Sequence, residues 1–453
     1  MGDAVHPFLE AILESRPPDA IERLELPDEF VAAHLRAEDT DMFRDVEHKD
    51  VRTSLRVGPV PMPELAPDEV VVAVMASSIN YNTVWSATFE PVPTFTFLRD
   101  YARQGGWAAR HDRPFQVVGS DAAGVVVRTG SGVRRWRAGD HVVVHPVHVD
   151  EQEPLTHADA MLGVDMRAWG YETNYGGLAQ FAVARASMLV PKPAHLTWEE
   201  AAVTPMCGST AYRMLVGANG ARMKQGDVVL VWGAAGGLGA YAVQLVKNGG
   251  GVPVGVVGSE RKAEAARRLG CDIVVNRVEI GLSDDPDPSP EETVAAGKRL
   301  GSVIRRETGT DPHIVFEHVG QATFGISVFV AGRGGTVVTC GSSTGYRHEF
   351  DNRYLWMRLK RVVGSHGANL QEQSETNRLV STGAIAPTLS ALYPLTEAAE
   401  ATRLVQNNGH VGKVGVLCLA PEPGLGVTDP ETRARIGADR INPLREFAPA
   451  SSL

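Results

Sequence analysis

Cysteine is scarce in this sequence: 453 residues include only Cys207, Cys271, Cys340 and Cys418, and no two of them form a C-x-x-C pair. This spacing excludes a disulfide framework and a zinc knuckle. The sequence also has no run of about 20 apolar residues that could cross a membrane, and residues 1–18 lack an apolar signal-peptide core. We therefore expect reduced cysteines, a cytoplasmic location and no membrane partner.

Positive charge is also in short supply, with 44 Lys and Arg against 54 Asp and Glu and a net charge of -10. Binding to nucleic acid needs clustered cations, whereas those of this chain are spread out. We expect no nucleic-acid partner. The 14 histidines are scattered and form no recognisable constellation, so no metal site is predicted.

The length exceeds what one hydrophobic core usually fills, so we expect two connected domains. In residues 1–50, the apolar spacing of Ala11–Leu13 and Phe30–Leu35 predicts short surface helices, an N-terminal helical extension. Residues 51–205 contain β-branched runs at Glu69–Met75 and Gln116–Arg128 between glycine-rich turns, which predicts a glycine-rich β-barrel domain; the resemblance given below implies that it is the catalytic domain. Thr197 and Glu200 form a capping-box pattern for a helix that runs toward Met206.

Residues 206–366 alternate short apolar strands with helical segments, which predicts a Rossmann-type, doubly wound parallel sheet. Its strands include Val228–Trp232 and Val252–Val257. Residues 367–453 are predicted to return to the catalytic domain through a helical stretch at Thr376–Ser381 and a strand at Val414–Leu419. The polar tail from Thr428 reads as a loosely held arm. The fold class is therefore α/β.

The strongest motif is a strand that leads into Gly233-Ala-Ala-Gly236-Gly237-Leu-Gly239 and then into a helix, with Ala234 where the usual first glycine would be. Glycine at 236 lets backbone amides approach a pyrophosphate, and the helix N-terminus adds partial positive charge. The next strand ends in Ser259, Arg261 and Lys262, which favour the 2′-phosphate of NADPH, although Glu260 could serve NAD instead. The predicted cofactor-binding residues are Gly233, Ala235, Gly236, Gly237, Leu238, Gly239, Ser259, Arg261, Lys262, Arg277 and Cys340.

This organisation resembles the medium-chain dehydrogenase/reductase superfamily, whose first domain is a GroES-like barrel. Zinc-dependent members carry a Gly-His-Glu segment and a four-cysteine lobe, whereas the matching stretch here reads Gly119-Ser-Asp-Ala-Ala-Gly124. Longer strings resemble the crotonyl-CoA carboxylase/reductase family. They are Ser78-Ile-Asn-Tyr-Asn-Thr-Val-Trp85, Trp169-Gly-Tyr-Glu-Thr-Asn174, Phe316-Glu-His318, Tyr346–Trp356 and Gly364-Ser-His366.

This resemblance implies NADPH-dependent reduction of a 2-enoyl-CoA and capture of CO2 on the resulting enolate, giving an alkylmalonyl-CoA of the kind used to extend polyketides. It implies that Asn82 hydrogen-bonds CO2 and that Glu172 and His366 hold an ordered water, with Tyr171 in the neighbouring position. Arg353 and Tyr354 match a segment that contacts CoA, and Lys298 is a weaker candidate. The resemblance also implies a homo-oligomer, a dimer or a tetramer.

Gly367 departs from the short-chain enzymes of the resembled family, which have phenylalanine there. A deeper acyl pocket would favour substrates of about six to ten carbons, but glycine could instead satisfy a backbone constraint. Purely structural roles also stay open for three residues: Asn82 could stabilise a turn, His366 could be a hydrogen-bonded histidine at the end of a strand, and Tyr171 could pack in the core. The chain could also be an enoyl or quinone reductase without carboxylation, or a non-catalytic nucleotide-binding protein.

Overall fold

The computed structural model describes residues 6–282, 285 and 287–453, and the chain forms two compact units. Unit 1 comprises Met1–Met206, Asn369–Asn377 and Leu389–Leu453, and unit 2 comprises Cys207–Ala368 and Arg378–Thr388. The sequence-based division assigned all of residues 367–453 to the first domain and the tail, whereas residues 378–388 cluster with unit 2.

Unit 1 is built on a seven-stranded sheet of mostly antiparallel strands, a three-stranded sheet and a two-stranded ribbon. Its strands, numbered in chain order, are β1 (Glu29–Arg36), β2 (Arg56–Pro61), β3 (Glu69–Ser78), β4 (Phe115–Val117), β5 (Ala123–Thr129), β6 (His141–Val144), β7 (Val147–His148), β8 (Arg167–Ala168), β9 (Phe181–Arg185), β10 (Leu189–Pro191), β17 (Leu389–Pro394) and β18 (Lys413–Leu417). Strand β3 is buried along its whole length and pairs with β5, β9 and β18, so it forms the centre of the large sheet.

The helices of unit 1 are short. They are α1 (Pro7–Leu13), α2 (Pro18–Glu22), α3 (Tyr81–Thr88), α4 (Phe95–Ala102), α5 (Pro154–Ala158), α6 (Trp198–Ala202), α14 (Ala398–Gln406), α15 (Pro430–Ile436) and α16 (Ala438–Ile441). Two further helices, α7 (Pro205–Val216) and α13 (Leu370–Ser381), contain residues of both units. The predicted helix at Thr376–Ser381 is confirmed as part of α13.

Unit 2 is a six-stranded, wholly parallel sheet in the order β13-β12-β11-β14-β15-β16. The strands are β11 (Val228–Trp232), β12 (Val252–Val257), β13 (Ile273–Asn276), β14 (Ile314–Glu317), β15 (Thr336–Thr339) and β16 (Arg361–Gly364), and the helices are α8 (Gly237–Asn248), α9 (Glu260–Arg268), α10 (Pro290–Thr308), α11 (Gln321–Val330) and α12 (Asn352–Trp356). The prediction of a doubly wound sheet is confirmed, and the predicted bounds of β11 and β12 are those observed.

The predicted helix at Phe30–Leu35 is wrong, because this segment is strand β1. It pairs with β2 along one edge and with β4 along the other, and most of its side chains are buried. Backbone partners on both edges outweigh the local helical spacing. Residues 29–36 are therefore part of a sheet of unit 1 and not of a helical extension.

Two other predictions differ from the structure: the helix that begins after Thr197 is shorter than predicted, and the tail from Thr428 is packed against the rest of unit 1. The capping box of Thr197 and Glu200 is present, but its helix ends at Ala202, and Pro205 starts the next helix because proline cannot donate to a preceding turn. The tail from Thr428 forms α15 and α16 and is not a loose arm. It buries Ile441 and Leu444, and Arg433 makes two hydrogen bonds to the Glu200 carboxylate at 2.6 and 3.0 Å.

No helix in the described part of the chain combines the length and the apolar character that crossing a bilayer requires.

Candidate active site

The carboxamide of Asn82 is held in the first turn of α3, directly after the central strand β3. Its Nδ2 donates to Ser120 Oγ at 2.8 Å, and Ser120 Oγ donates to the carbonyl oxygen of Trp169 at 2.6 Å. Asn82 Oδ1 is buried and has no hydrogen-bond partner within the described residues. This places Asn82 close to the segment that carries Tyr171 and Glu172, and it leaves one amide hydrogen and Oδ1 for a ligand.

The predicted strand Gln116–Arg128 is interrupted where Ser120 lies. The structure has β4 up to Val117 and β5 from Ala123, with an irregular segment between them. Gly119 has φ +108°, and a Cβ there would lie 2.5 Å from the backbone nitrogen of Leu178. Only glycine fits this position, which lies in the irregular segment next to Ser120.

Asp121 is the centre of a buried polar network that the sequence analysis missed. Its Oδ2 accepts hydrogen bonds from Ser78 Oγ at 2.5 Å, Asn80 Nδ2 at 2.7 Å and Lys413 Nζ at 3.1 Å. Its Oδ1 accepts from the backbone nitrogen of Met206 at 2.9 Å. The Asp121 and Lys413 side chains are 0% and 3% exposed, so they form a buried ion pair next to Asn80, the residue before α3.

The loop after Trp169 is fixed by hydrogen bonds between side chains and its backbone. Glu172 Oε2 accepts from the backbone nitrogen of Ala168 at 2.7 Å, and Gln116 Nε2 donates to the Tyr171 carbonyl at 2.8 Å. The Tyr171 ring is half-buried, and its centroid lies 5.9 Å from that of Phe97 on α4. Tyr171 therefore has an aromatic packing partner as well as its predicted place in the site.

Asn174 ends this loop and is held by a buried histidine. The backbone nitrogen of Asn174 donates to His111 Nδ1 at 3.0 Å, and Asn174 Oδ1 accepts from the backbone nitrogen of Val117 at 2.8 Å. Burial, assisted by the positive charge of Arg110, lowers the pKa of His111 to about 3. The imidazole is therefore neutral at physiological pH, and its Nδ1 can act as an acceptor.

The glycine motif of unit 2 forms a tight turn between β11 and α8. Gly233 has φ +57°, and Gly236 is the residue before the first turn of α8. A Cβ at Gly239 would lie 2.2 Å from the carbonyl oxygen of Gly233, so strand and helix approach too closely for any side chain. His318 Nε2 donates to the Trp232 carbonyl at 2.9 Å beside this turn. A Cβ at Gly233 would make a tight contact of 3.2 Å with that ring, and the positive φ also favours glycine. The geometry fits a bound pyrophosphate.

Cations gather at the end of β12, as the sequence predicts. A Cβ at Gly258 would lie 3.1 Å from Arg277 Nε, and burial together with the charges of Arg277 and Arg261 lowers the pKa of Lys262. Ser259 Oγ accepts from the backbone nitrogen of Lys262 at 3.3 Å and caps α9. These donors suit a 2′-phosphate.

Glu260, the acidic residue that could serve NAD instead, already has a partner for its carboxylate. Glu260 Oε1 accepts from Arg267 Nη1 at 2.7 Å, and the Glu260 side chain is 67% exposed. Its carboxylate is thus engaged by an arginine two turns along the same helix.

Replacing Arg277 with alanine is expected to raise the KM for NADPH about fivefold and to leave the KM for NADH unchanged. One solvated ion pair contributes at most about 1 kcal/mol, and Lys262 and Arg261 would remain. Steady-state kinetics with both cofactors would check this. The matched control is Arg268→Ala, which removes an arginine of α9 that is paired with Glu264 of the same helix.

The other predicted residues of unit 2 have different surroundings. His366 follows β16 and is exposed, and Gly367 has φ +48°, a backbone conformation that favours glycine. Burial raises the pKa of the Cys340 thiol to about 12, so it remains protonated. Lys298 is exposed on α10.

The two residues predicted to contact CoA already have partners within unit 2. Arg353 pairs with Asp351 through Nη2 and Oδ2 at 2.6 Å and is 75% exposed, and Tyr354 packs edge-on against Phe329 at 4.7 Å. Arg353 remains accessible to solvent, whereas Tyr354 also contributes to a hydrophobic cluster of unit 2.

Comparison with known proteins supplies the family. Residues 66–194 match a family model described as alcohol dehydrogenase GroES-like domain, and residues 237–382 match one described as zinc-binding dehydrogenase. The crotonyl-CoA reductase of Streptomyces collinus is 51% identical over 428 residues, which are 93% of this chain and 95% of that protein. The chain belongs to the crotonyl-CoA carboxylase/reductase family. Its fold is a GroES-like domain followed by a Rossmann-type domain.

Other members of the crotonyl-CoA carboxylase/reductase family agree with this. The crotonyl-CoA carboxylase/reductase of Cereibacter sphaeroides is 38% identical and aligns over 84% of this chain and 88% of its own. The structure of the 2-octenoyl-CoA carboxylase reductase CinF in complex with NADP and 2-octenoyl-CoA has a TM-score of 0.96 at 65% identity. The match covers 98% of this chain and 99% of the CinF chain.

The description "zinc-binding" does not match the stretch of this chain that corresponds, by resemblance, to the Gly-His-Glu segment of zinc-dependent enzymes. Ser120 and Asp121 stand there, and both are engaged in hydrogen bonds with other side chains and the backbone. Within residues 6–282, 285 and 287–453, no group of three or more His, Cys, Asp or Glu is arranged to hold a metal ion.

Proposed function

We propose that this protein is an enzyme that reduces a medium-chain 2-enoyl-CoA with NADPH and carboxylates the resulting enolate at Cα, giving an alkylmalonyl-CoA. The observation that carries the proposal is the position of Asn82, whose carboxamide is hydrogen-bonded through Ser120 to the Trp169–Glu172 segment and keeps an unpartnered buried oxygen within the described residues. Membership in the crotonyl-CoA carboxylase/reductase family and the octenoyl-CoA complex of CinF support it.

When bound, NADPH supplies the hydride that reduces Cβ. The negative charge is then shared between Cα and the thioester oxygen, and Cα forms a bond either to a proton or to the carbon of CO2. An amide suits the carboxylation because it can hydrogen-bond CO2 without being acidic enough to protonate the enolate. We assign this role to Asn82, and we keep Glu172, Tyr171 and His366 in the roles that the resemblance implies.

Gly233 to Gly239 would hold the pyrophosphate of the cofactor, and Ser259, Arg261, Lys262 and Arg277 its 2′-phosphate. Arg353, Tyr354 and Lys298 remain candidates for contacts to CoA. The product class, an alkylmalonyl thioester, is a chain-extension unit in polyketide assembly, and we propose that use for it.

The decisive experiment is mass spectrometry of the product formed from NADPH, 2-octenoyl-CoA and ¹³C-labelled bicarbonate. We expect one labelled carbon in the product. A reductase without carboxylation would oxidise NADPH and give an unlabelled saturated thioester, and a non-catalytic binding protein would oxidise no NADPH with any enoyl-CoA. Either result would overturn the proposal.

Substitution of Asn82 by leucine is expected to keep NADPH oxidation and to raise the ratio of reduced to carboxylated product about five- to thirtyfold. Loss of one hydrogen bond of about 1–2 kcal/mol to CO2 is the reason. The ratio is measured by liquid chromatography of the thioesters, with Asn407→Leu, a surface substitution after α14, as control. An unchanged ratio would remove Asn82 from the carboxylation step.

We also propose a cytoplasmic homo-oligomer, a dimer or a tetramer. None of the four cysteines forms a disulfide within the described residues, which suits a reducing compartment. Strand β16 is at the edge of the six-stranded sheet. Four large apolar side chains in this strand or just before it are exposed: Trp356 (60%), Met357 (55%), Leu359 (70%) and Val362 (41%). Large exposed apolar side chains beside an open sheet edge favour pairing with a second copy. Sedimentation velocity of the full chain should detect the oligomer, and a monomer at micromolar concentration would contradict it.

A further inference from the structure

The Ser120 hydroxyl joins two segments of unit 1 that are distant in sequence. It accepts from Asn82 Nδ2 at 2.8 Å on one side and donates to the Trp169 carbonyl at 2.6 Å on the other. Ser120 is fully buried, and Trp169 is itself anchored because its indole Nε1 donates to the Val183 carbonyl at 3.0 Å. Ser120 therefore connects the first turn of α3 with the segment that begins at Trp169.

The direction of these two hydrogen bonds is determined by chemistry. A carbonyl oxygen cannot donate, so the single hydroxyl proton of Ser120 must point to Trp169. Ser120 Oγ can then only accept from Asn82, which requires the Nδ2 side of the carboxamide to face Ser120. The Asn82 amide is thereby held in one of its two possible flips, with Oδ1 on the opposite side.

We propose that Ser120 is a positioning residue for carboxylation, which orients the Asn82 carboxamide and sets its distance from the Trp169–Glu172 segment. This inference rests on the proposed function. Without the hydroxyl, the carboxamide could rotate about its terminal bond and present either atom to the ligand, and part of the molecules would lack the productive orientation. CO2 binding would weaken, whereas hydride transfer to Cβ would not depend on Ser120.

The test compares Ser120→Ala with the unaltered full-length chain in the presence of NADPH, 2-octenoyl-CoA and ¹³C-bicarbonate. We expect the ratio of reduced to carboxylated product to rise about two- to tenfold, the cost of one hydrogen bond. The apparent KM for CO2 should rise, and the KM for NADPH should not change. Ser120→Cys keeps a single donor hydrogen in a somewhat larger side chain with weaker hydrogen bonds, so it should shift the ratio in the same direction by less.

A double-mutant cycle separates positioning from general destabilisation. If Ser120 acts through Asn82, adding Ser120→Ala to Asn82→Leu should change the ratio no further. The matched control is Ser390→Ala, which also removes a buried serine hydroxyl that donates to a backbone carbonyl, that of Val411. It should lower thermal stability without changing the ratio.

The outcomes distinguish this inference from the proposed function. A wild-type ratio in Ser120→Ala, with label still incorporated by the unaltered chain, would overturn the role of Ser120 alone. Fully additive effects in the cycle, or an equal shift in Ser390→Ala, would do the same. Absence of label from the product of the unaltered chain would overturn the proposed function instead.

Discussion

Octenoyl-CoA is expected to be turned over with a kcat/KM about a hundredfold higher than that of crotonyl-CoA. Octenoyl-CoA has four more methylenes than crotonyl-CoA, and a pocket beside Gly367 that buries three or four of them at about 0.8 kcal/mol each would gain roughly 2.4–3.2 kcal/mol. Competition kinetics with both thioesters measure this ratio directly. Comparable values for the two substrates would contradict a deep acyl pocket.

The φ of +48° at Gly367 makes the choice of variant important, because glycine there also satisfies the backbone. Asparagine tolerates this conformation better than other side chains and adds volume, whereas alanine adds little volume and carries the full backbone strain. If the pocket sets the preference, Gly367→Asn should reduce turnover of octenoyl-CoA selectively and Gly367→Ala should affect both substrates equally. Loss of turnover with both substrates in Gly367→Ala, together with little change in Gly367→Asn, would favour the backbone explanation.

Replacing Lys413 with methionine is expected to lower the free energy of unfolding by about 3–5 kcal/mol. The substitution leaves the Asp121 carboxylate, which is 0% exposed, without its only cationic partner at 3.1 Å among the described residues. It also removes hydrogen bonds to the Ile79 carbonyl and to Asn80 Oδ1, which precede α3. Denaturant unfolding followed by circular dichroism measures the change.

The control for this prediction is the double variant Asp121→Asn with Lys413→Met. It removes both charges and keeps a polar side chain at position 121, so it should recover a substantial part of the lost stability. Lys247→Met, at an exposed ion pair with Asp272, should cost at most about 1 kcal/mol. A loss of similar size in Lys413→Met and Lys247→Met would show that the buried pair is unimportant.

The Rossmann-type domain could be predicted from the sequence because its strands are short buried runs between glycines and helices. The bounds of β11 and β12 follow from this local pattern. The strand at Phe30–Leu35 could not be predicted in this way, because the pairing of β1 with β2 and β4 depends on residues up to 117. Likewise, the capping box at Thr197 predicted where α6 begins, but its end at Ala202 depends on the following proline.

The active site divides in the same way. Asn82, Tyr171 and Glu172 could be proposed as site residues because they lie in continuous strings that resemble a known family. Ser120 was noticed only as a missing metal ligand, since its bond to Asn82 spans 38 positions. Lys413 lies 292 positions from Asp121 and carries no local motif. A lysine in an otherwise apolar strand was the one available signal for a buried ion pair.

The one-way hydrogen bonding around Ser120 has a consequence for proton supply. A proton relay needs each group to receive a proton from one neighbour while passing its own to the next, and the sequence of donors must begin at a source such as bulk water. The chain from Asn82 through Ser120 ends at a peptide carbonyl, which has no proton to release. If the enolate of the proposed function forms next to this carboxamide, it cannot be protonated along this route, because Ser120 passes its only proton to the Trp169 carbonyl.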